Sequence, residues 1–201
     1  MDFNDILPAY DRAADHWAAT RNQSLFELGA LSAALDGRTE ATVLDMGCGA
    51  GLPIAGWLAA QGCAVTGVDG SDPMLRHFRA NLPQATAVLA DMRKLALGRR
   101  FDVIVGWDSF FHLSRKDQRA MFPIFAAHAA PGARLLLTTG PKDSEAMGRV
   151  GDEPVIHASL SPDAYRTLFA AHGFDVLWFR AEDPEFHGHS VWLAQRSGGI
   201  A

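Results

Sequence analysis

No stretch of this sequence approaches the roughly 18 consecutive apolar residues that a membrane-spanning helix needs, so no membrane partner is expected. Blocks of lysine or arginine are missing too. With a formal charge of −5 the chain offers little to a phosphate backbone, which disfavours nucleic acid as a main partner. Residues 1–15 mix acids with apolar side chains and lack a basic start followed by an apolar run, so no secretory leader is expected. Cysteine is scarce. Cys48 and Cys63 are the only two, and Cys48 lies among glycines where a disulfide would obstruct approach. Two free thiols in a reducing cytoplasm are therefore expected. Repeats and low-complexity tracts are also lacking. What remains is 201 residues, 48 % apolar, enough for one sizeable core and too few for two, so residues 1–201 are read as a single domain.

What the sequence does have is an alternation of strand and helix signals. Thr42 to Met46 is a short apolar run closed by glycines at 47, 49 and 51, with Pro53 in the first turn of a helical segment ending at Gln61. Glycine suits a turn that needs positive φ and lets a ligand approach bare backbone. Ala64 to Val68 is a second strand, ending in Asp69. Ser71 caps a helix whose stripe is Met74, Leu75, Phe78 and Leu82. Further strands are expected at Ala85–Ala90, closing on Asp91, and at Phe101–Gly106, Ala133–Thr139, Phe174–Phe179 and Ser190–Ala194. Helices are expected from Ser114 to His128, with Pro123 either kinking it or marking its true start, and from Ser161 to Gly173. Tyr10 to Leu35 reads as two helices broken at Arg21–Ser24, making residues 1–38 a helical cap. Residues 140–160 show no period and read as an irregular loop on the substrate side. The sum is an α/β chain with a doubly wound, mostly parallel sheet and one reversed strand near its edge.

Four of these segments, Leu44-Asp45-Met46-Gly47-Cys48-Gly49-Ala50-Gly51, Val68-Asp69-Gly70-Ser71 with Met74-Leu75, Ala90-Asp91-Met92, and Phe101-Asp102-Val103-Ile104, together resemble the class I S-adenosylmethionine-dependent methyltransferases of small-molecule type. The resemblance spans residues 42–196. It implies a Rossmann-like methyltransferase fold of seven strands in the order 3-2-1-4-5-7-6, strand 7 antiparallel, and S-adenosyl-L-methionine as cofactor. It further implies that Gly47, Gly49 and Gly51 lie against the methionine and ribose portions, and that Asp45 orients the amino group. Asp69 takes the ribose diol, as a carboxylate with two oxygens can. Gly70 and Met74 flank the adenine, Asp91 accepts its amino group, and the Met92 N–H meets a ring nitrogen. Met74 as plain core and Asp91 as a solvated strand end remain open alternatives. Trp107 would line the channel near the sulfonium.

Acceptor chemistry is read from Trp107-Asp108-Ser109-Phe110-Phe111-His112 beyond the fourth main strand. His112 is the candidate base with Asp108 beside it, against the alternative of a packing histidine. Tyr10, Trp17, Phe111, His157, His187 and His189 are candidates for the acceptor's surroundings. Arg21 is read as a partner for the methionine carboxylate or as a surface arginine. No metal is expected. The Asn- or Asp-Pro-Pro-Tyr run of related enzymes that act on nucleic acids and proteins is replaced here by Trp107-Asp108-Ser109-Phe110, which favours a small soluble acceptor. Two rival readings stand beside this one. A nicotinamide-dependent oxidoreductase needs a third glycine where Leu52 stands, and a non-catalytic binding protein on the same fold needs none of the chemistry. A monomer or homodimer fits either way.

Overall fold

The apolar alternation along the strands decides the layering. The computed structural model describes residues 2–198. Within them a seven-stranded sheet runs in the order β3-β2-β1-β4-β5-β9-β8. Its strands are β1 (Thr42–Met46), β2 (Ala64–Asp69), β3 (Thr86–Leu89), β4 (Phe101–Gly106), β5 (Ala129–Thr139), β8 (Phe174–Asp183) and β9 (His189–Arg196). The first five pair in parallel and β9 is antiparallel to both its neighbours. Counting only these strands, the order is the 3-2-1-4-5-7-6 that the resemblance implies. Side chains on successive residues enter opposite cores, as strand geometry requires. Val43 joins one core and Leu44 and Met46 the other; Leu136 opposes Leu135 and Leu137; Val191 and Leu193 oppose Trp192 and Ala194.

On one face lie α2 (Leu28–Leu35), α3 (Ile54–Ala60) and α4 (Asp72–Asn81), contributing Ala30, Leu31, Leu58, Leu75 and Phe78. On the other lie α5 (Arg115–His128) and α6 (Pro162–Ala171), with Met121, Phe122, Phe125, Tyr165 and Phe169. The Ser71, Ser114 and Ser161 side chains accept the backbone N–H of Met74, Asp117 and Ala164, fixing the starts of α4, α5 and α6. α5 therefore starts directly after its Ser114 cap and runs unbroken through Pro123.

The largest departure from expectation is in residues 140–160. They form not an irregular loop but a hairpin of β6 (Ser144–Val150) and β7 (Glu153–Ser159), antiparallel and separate from the main sheet. Its pattern is hidden because Gly148 and Pro154 interrupt it and because its burial comes from α1 (Ile6–Thr20). Ile6, Ala9 and Ala13 of that helix form a third small core with Val150 and Val155. The hairpin's base is tied down by Gln118, whose amide donates to Leu113 O at 2.9 Å and Ala158 O at 2.8 Å while accepting from the Tyr165 hydroxyl at 2.5 Å. Other boundaries also move. α1 starts before Tyr10, β5 takes in Pro131-Gly132, and β8 and β9 extend until a short turn at Pro184–Phe186 joins them.

The parallel strands all end at one rim, where the glycine turn, Asp69, Asp91 and Trp107-Asp108 emerge, and α1 crosses above it. Close packing beneath that rim is exacting. A Cβ on Gly67 would stand 2.5 Å from the Phe78 ring and 2.8 Å from Cys48 Sγ. Gly67→Ala should therefore lose about 1–3 kcal/mol of stability through overpacking. Urea unfolding checks this, and a wild-type midpoint would contradict it.

Candidate active site

The turn after β1 holds Gly47, Gly49 and Gly51 at φ of 78°, 52° and 82°. At Gly47 a side chain is impossible on a second count, because a Cβ would come within 2.2 Å of Ser109 Cβ. Ser109 sits that close because its hydroxyl donates to Met46 O at 2.6 Å, pressing the loop after β4 onto the turn. Asp69, at the end of β2, accepts the Gly49 N–H and the Ser71 N–H, each at 2.8 Å and each on a different oxygen. Both oxygens keep capacity to accept from a ligand. Burial raises the Asp69 pKa, partly offset by the N–H groups of Ser71, Gly49 and Gly70.

Asp45 is 4 % exposed and lines the same cavity. Burial, helped by the Asp69 charge, lifts its pKa to about 7. Cys48, in the turn itself, is likewise pushed up by burial and by the two carboxylates. At the far end, Leu7 of α1 lies over Gly70, and Met74 is fully buried behind it. Asp91 lines the cavity beside Met92 and is clasped by the Arg93 guanidinium at 2.7–3.0 Å. That bond is the main reason its pKa is lowered.

At the opposite end Trp107 is buried, packed by Phe26, Phe186 and His189, and its indole N–H has no hydrogen-bond partner among the described residues. Asp108 follows it at φ 50°, its own N–H held by Thr138 Oγ1 at 2.8 Å. The Asp108 carboxylate stands 3.8 Å from the Arg21 guanidinium and 2.9 Å from His189 Nε2. Arg21 is anchored by the wholly buried Glu27 and lies over the rings of Trp17 and Phe26. His189 also donates through Nδ1 to Phe186 O, at 2.6 Å. Burial alone would lower its pKa, but the Asp108 contact and the Phe186 carbonyl outweigh that and raise it.

The Tyr10 hydroxyl reaches His112 Nε2 at 2.8 Å, and His112 Nδ1 lies 3.1 Å from Ile156 O on β7. Burial, reinforced by His157, pulls the His112 pKa down to about 4. Burial also raises the Tyr10 pKa, and the charges of Asp108 and Asp69 act in the same direction. Phe111 and His157 pack against the His112 ring at centroid distances of 4.9 and 4.8 Å.

One cavity, partly open to solvent, thus gathers Tyr10, Trp17, Arg21, Asp45 and the three turn glycines with Asp69, Gly70, Met74, Asp91, Met92, Trp107, Asp108 and His112. Four expected residues are not part of its lining. Phe111 and His157 support His112 from behind, and His189 supports Asp108. His187 is exposed and stacks on Phe26 at 4.3 Å, away from the cavity. Its φ of 52° at the end of the β8–β9 turn aims it outward. Sequence reading missed Leu7, Arg93 and Glu27, and gave Ser109 only as a member of the run from Trp107 to His112. Only Glu27 left a trace, as an acid inside the apolar run Leu25-Phe26-Glu27-Leu28.

Known proteins resemble this chain in sequence and in fold. A family model described as a methyltransferase domain matches residues 43–132. A malonyl-[acyl-carrier protein] O-methyltransferase of Enterobacter lignolyticus is 30 % identical over 82 % of this chain and 66 % of its own. A dTDP-3-amino-3,4,6-trideoxy-alpha-D-glucopyranose N,N-dimethyltransferase of Streptomyces venezuelae is 34 % identical over 45 % of this chain. The chain spans only 39 % of that relative. Among solved structures, an S-adenosylmethionine-bound amino pentose methyltransferase from Micromonospora echinaspora superposes with a TM-score of 0.73 at 19 % identity, covering 92 % of this chain and 96 % of its own. That likeness speaks for the fold.

The raised Asp45 pKa carries a stability cost with a definite sign. The folded-state value of about 7 lies above the unfolded value of 3.8, so the folded chain binds the extra proton between them. Stability is then lost as pH rises through that window. Asp45→Asn should remove a penalty of a few kcal/mol at pH 8 and little near pH 4. Thermal unfolding of both proteins across pH measures it. Equal pH slopes would show that Asp45 ionises freely.

Proposed function

Because this chain belongs to the class I S-adenosylmethionine-dependent methyltransferases, we propose that it transfers the methyl group of that cofactor to a small soluble acceptor by in-line displacement. The observation that carries this reading is the Asp69 carboxylate, fixed by two backbone N–H groups and still able to accept from a diol, beside a turn stripped of side chains. The residues fit the cofactor. Gly47, Gly49 and Gly51 line the cavity with little more than backbone, and Asp45 faces the same space with no charged partner among the described residues. Bound there, S-adenosylmethionine supplies an already activated methyl group, so the protein's share is alignment more than acid or base catalysis.

Gly47, Gly49 and Gly51 offer their backbone to the methionine and ribose portions, and Asp45 faces the amino group. Asp69 takes the ribose hydroxyls. Gly70 and Met74 flank the adenine, with Leu7 closing from above. Asp91, steadied by Arg93, accepts the adenine amino group, and Met92 offers its backbone N–H. Arg21, held in place by Glu27, faces the methionine carboxylate, and Trp107 presents an aromatic face to a cation. Tyr10, Trp17, Asp108 and His112 border the acceptor's space. Phe111, His157 and His189 hold those groups from behind. Five carboxylates and two guanidinium groups line the cavity, a balance that supports a small acceptor over a nucleic acid. Among the described residues no helix is long and apolar enough to cross a membrane. The two curated relatives methylate nitrogen in one case and oxygen in the other, so neither name transfers to this acceptor.

Asp69→Ala should weaken S-adenosylhomocysteine binding by about 1.5–3 kcal/mol, the worth of a charge-assisted contact. Isothermal calorimetry measures it, and unchanged affinity would count against the assignment.

A further inference from the structure

We propose that Tyr10 takes the acceptor's proton and passes its own to His112, and that the acceptor is therefore an amine or a hydroxyl, not a carboxylate or thioether. This rests on the methyltransferase reading above and deepens it. The direction of the Tyr10–His112 hydrogen bond follows from its surroundings. Ile156 O carries no proton, so the contact at 3.1 Å requires the hydrogen on His112 Nδ1. A neutral imidazole then has a bare Nε2, and the bond of 2.8 Å must be donated by the Tyr10 hydroxyl. The phenol has spent its one donor, and toward the cavity it can only accept.

Both nitrogens of His112 are thereby occupied, so a proton from the cavity reaches the ring through Tyr10. Burial among Phe111, His157 and the hairpin keeps His112 neutral at ordinary pH, which preserves the bare nitrogen. Tyr10 lines the same cavity as Asp69 and Asp108, and the charges of both act on its hydroxyl. Asp108 is the other acidic group at that end; it stands near the charged Arg21 and near His189, while its Oδ1 makes no hydrogen bond among the described residues. Tyr10 Oη receives the proton that the acceptor's nitrogen or oxygen sheds as its lone pair forms the new bond to the methyl carbon. The carbon–sulfur bond breaks with its pair going to sulfur. The tyrosine's own hydrogen moves to His112 Nε2, so Tyr10 ends neutral and His112 ends as imidazolium. One positive charge has left sulfur and one has appeared on the ring, where Asp108 offsets only part of what burial and His157 cost it. Carboxylate acceptors shed no proton and make no use of this arrangement.

The test uses sinefungin, a cofactor analogue with an amine-bearing carbon in place of the methylated sulfur, so that an N–H donor sits at the methyl position. Sinefungin and S-adenosylhomocysteine are titrated calorimetrically into the wild type and Tyr10→Phe. The expected result is a loss of about tenfold for sinefungin with S-adenosylhomocysteine affinity held within about twofold, the signature of one lost hydrogen bond. Equal loss of both ligands, or loss of neither, overturns the proposal. Nitrogen-15 spectra of histidine-labelled protein give a second readout that does not depend on the variant. His112 should appear as the Nδ1-protonated neutral form through the neutral range, and the opposite tautomer or an imidazolium overturns the relay. If the wild type binds neither ligand, the methyltransferase reading fails and the relay fails with it.

Discussion

Two backbone N–H groups, one from Gly49 and one from Ser71, converge on the carboxylate of Asp69, and the rest of the site depends on that convergence. The two loops come from neighbouring parallel strands and have no ladder of their own beyond the strand ends. A carboxylate that accepts from both joins them through charge-assisted hydrogen bonds, each stronger than a neutral one. The Val68 carbonyl adds to this by accepting the N–H groups of Gly47 and Cys48 at 2.8 and 3.1 Å. The turn is thus held in shape before any ligand arrives, and Ser109 presses on it from the far side. Preorganisation of this kind reduces what a ligand must spend on ordering the protein.

A second layer is built on different physics. The sheet and its flanking helices form two cores that do not need α1, whereas α1 and the β6–β7 hairpin share a small core of their own. The cover over the cavity is therefore a helix and a hairpin packed on each other and fastened to the body by polar contacts. Tyr10 reaches His112 and Arg21 reaches Glu27 and Asp108, while Arg12 on α1 reaches Glu153 on β7 at 2.6 Å within the cover itself. The exposed Arg12 pair contributes little. The contacts made by Tyr10 and Arg21 are shielded and lie on the cavity wall, so the groups that hold the cover are also the groups that face a ligand.

How much of this the sequence disclosed follows from range. Strands buried on both faces read as short apolar runs, and a turn that needs positive φ announces itself through glycine, so the sheet and Gly47 to Asp69 were legible locally. The hairpin was not, because its period is broken by Gly148 and Pro154 and its partner is a helix more than a hundred positions earlier. The Tyr10–His112 bond spans 102 residues, and neither residue's neighbours hint at the other. His187 and His189 look equivalent in sequence. Only the turn between β8 and β9, with His187 at positive φ, shows that one faces Phe26 at the surface and the other Asp108. Expectation failed where the backbone's direction, not the residue type, decides the contact.

Charge across the cavity gives the layout its sense. Each guanidinium on the wall is matched by carboxylates, Arg93 with Asp91 and Asp117 and Arg21 with Glu27, which leaves Asp69, Asp108 and Asp45 to set the field inside. Asp108 is partly answered by His189, and Asp45 is held near its neutral form by burial next to Asp69. An uncompensated carboxylate in so dry a place costs several kcal/mol, and the surrounding groups meet that cost by keeping a proton instead of a counter-ion. A cation entering the cavity reverses the balance, since it favours the ionised carboxyl over the protonated one. A site built this way favours a positively charged ligand over a neutral one of similar shape, and it does so with groups whose positions are already fixed.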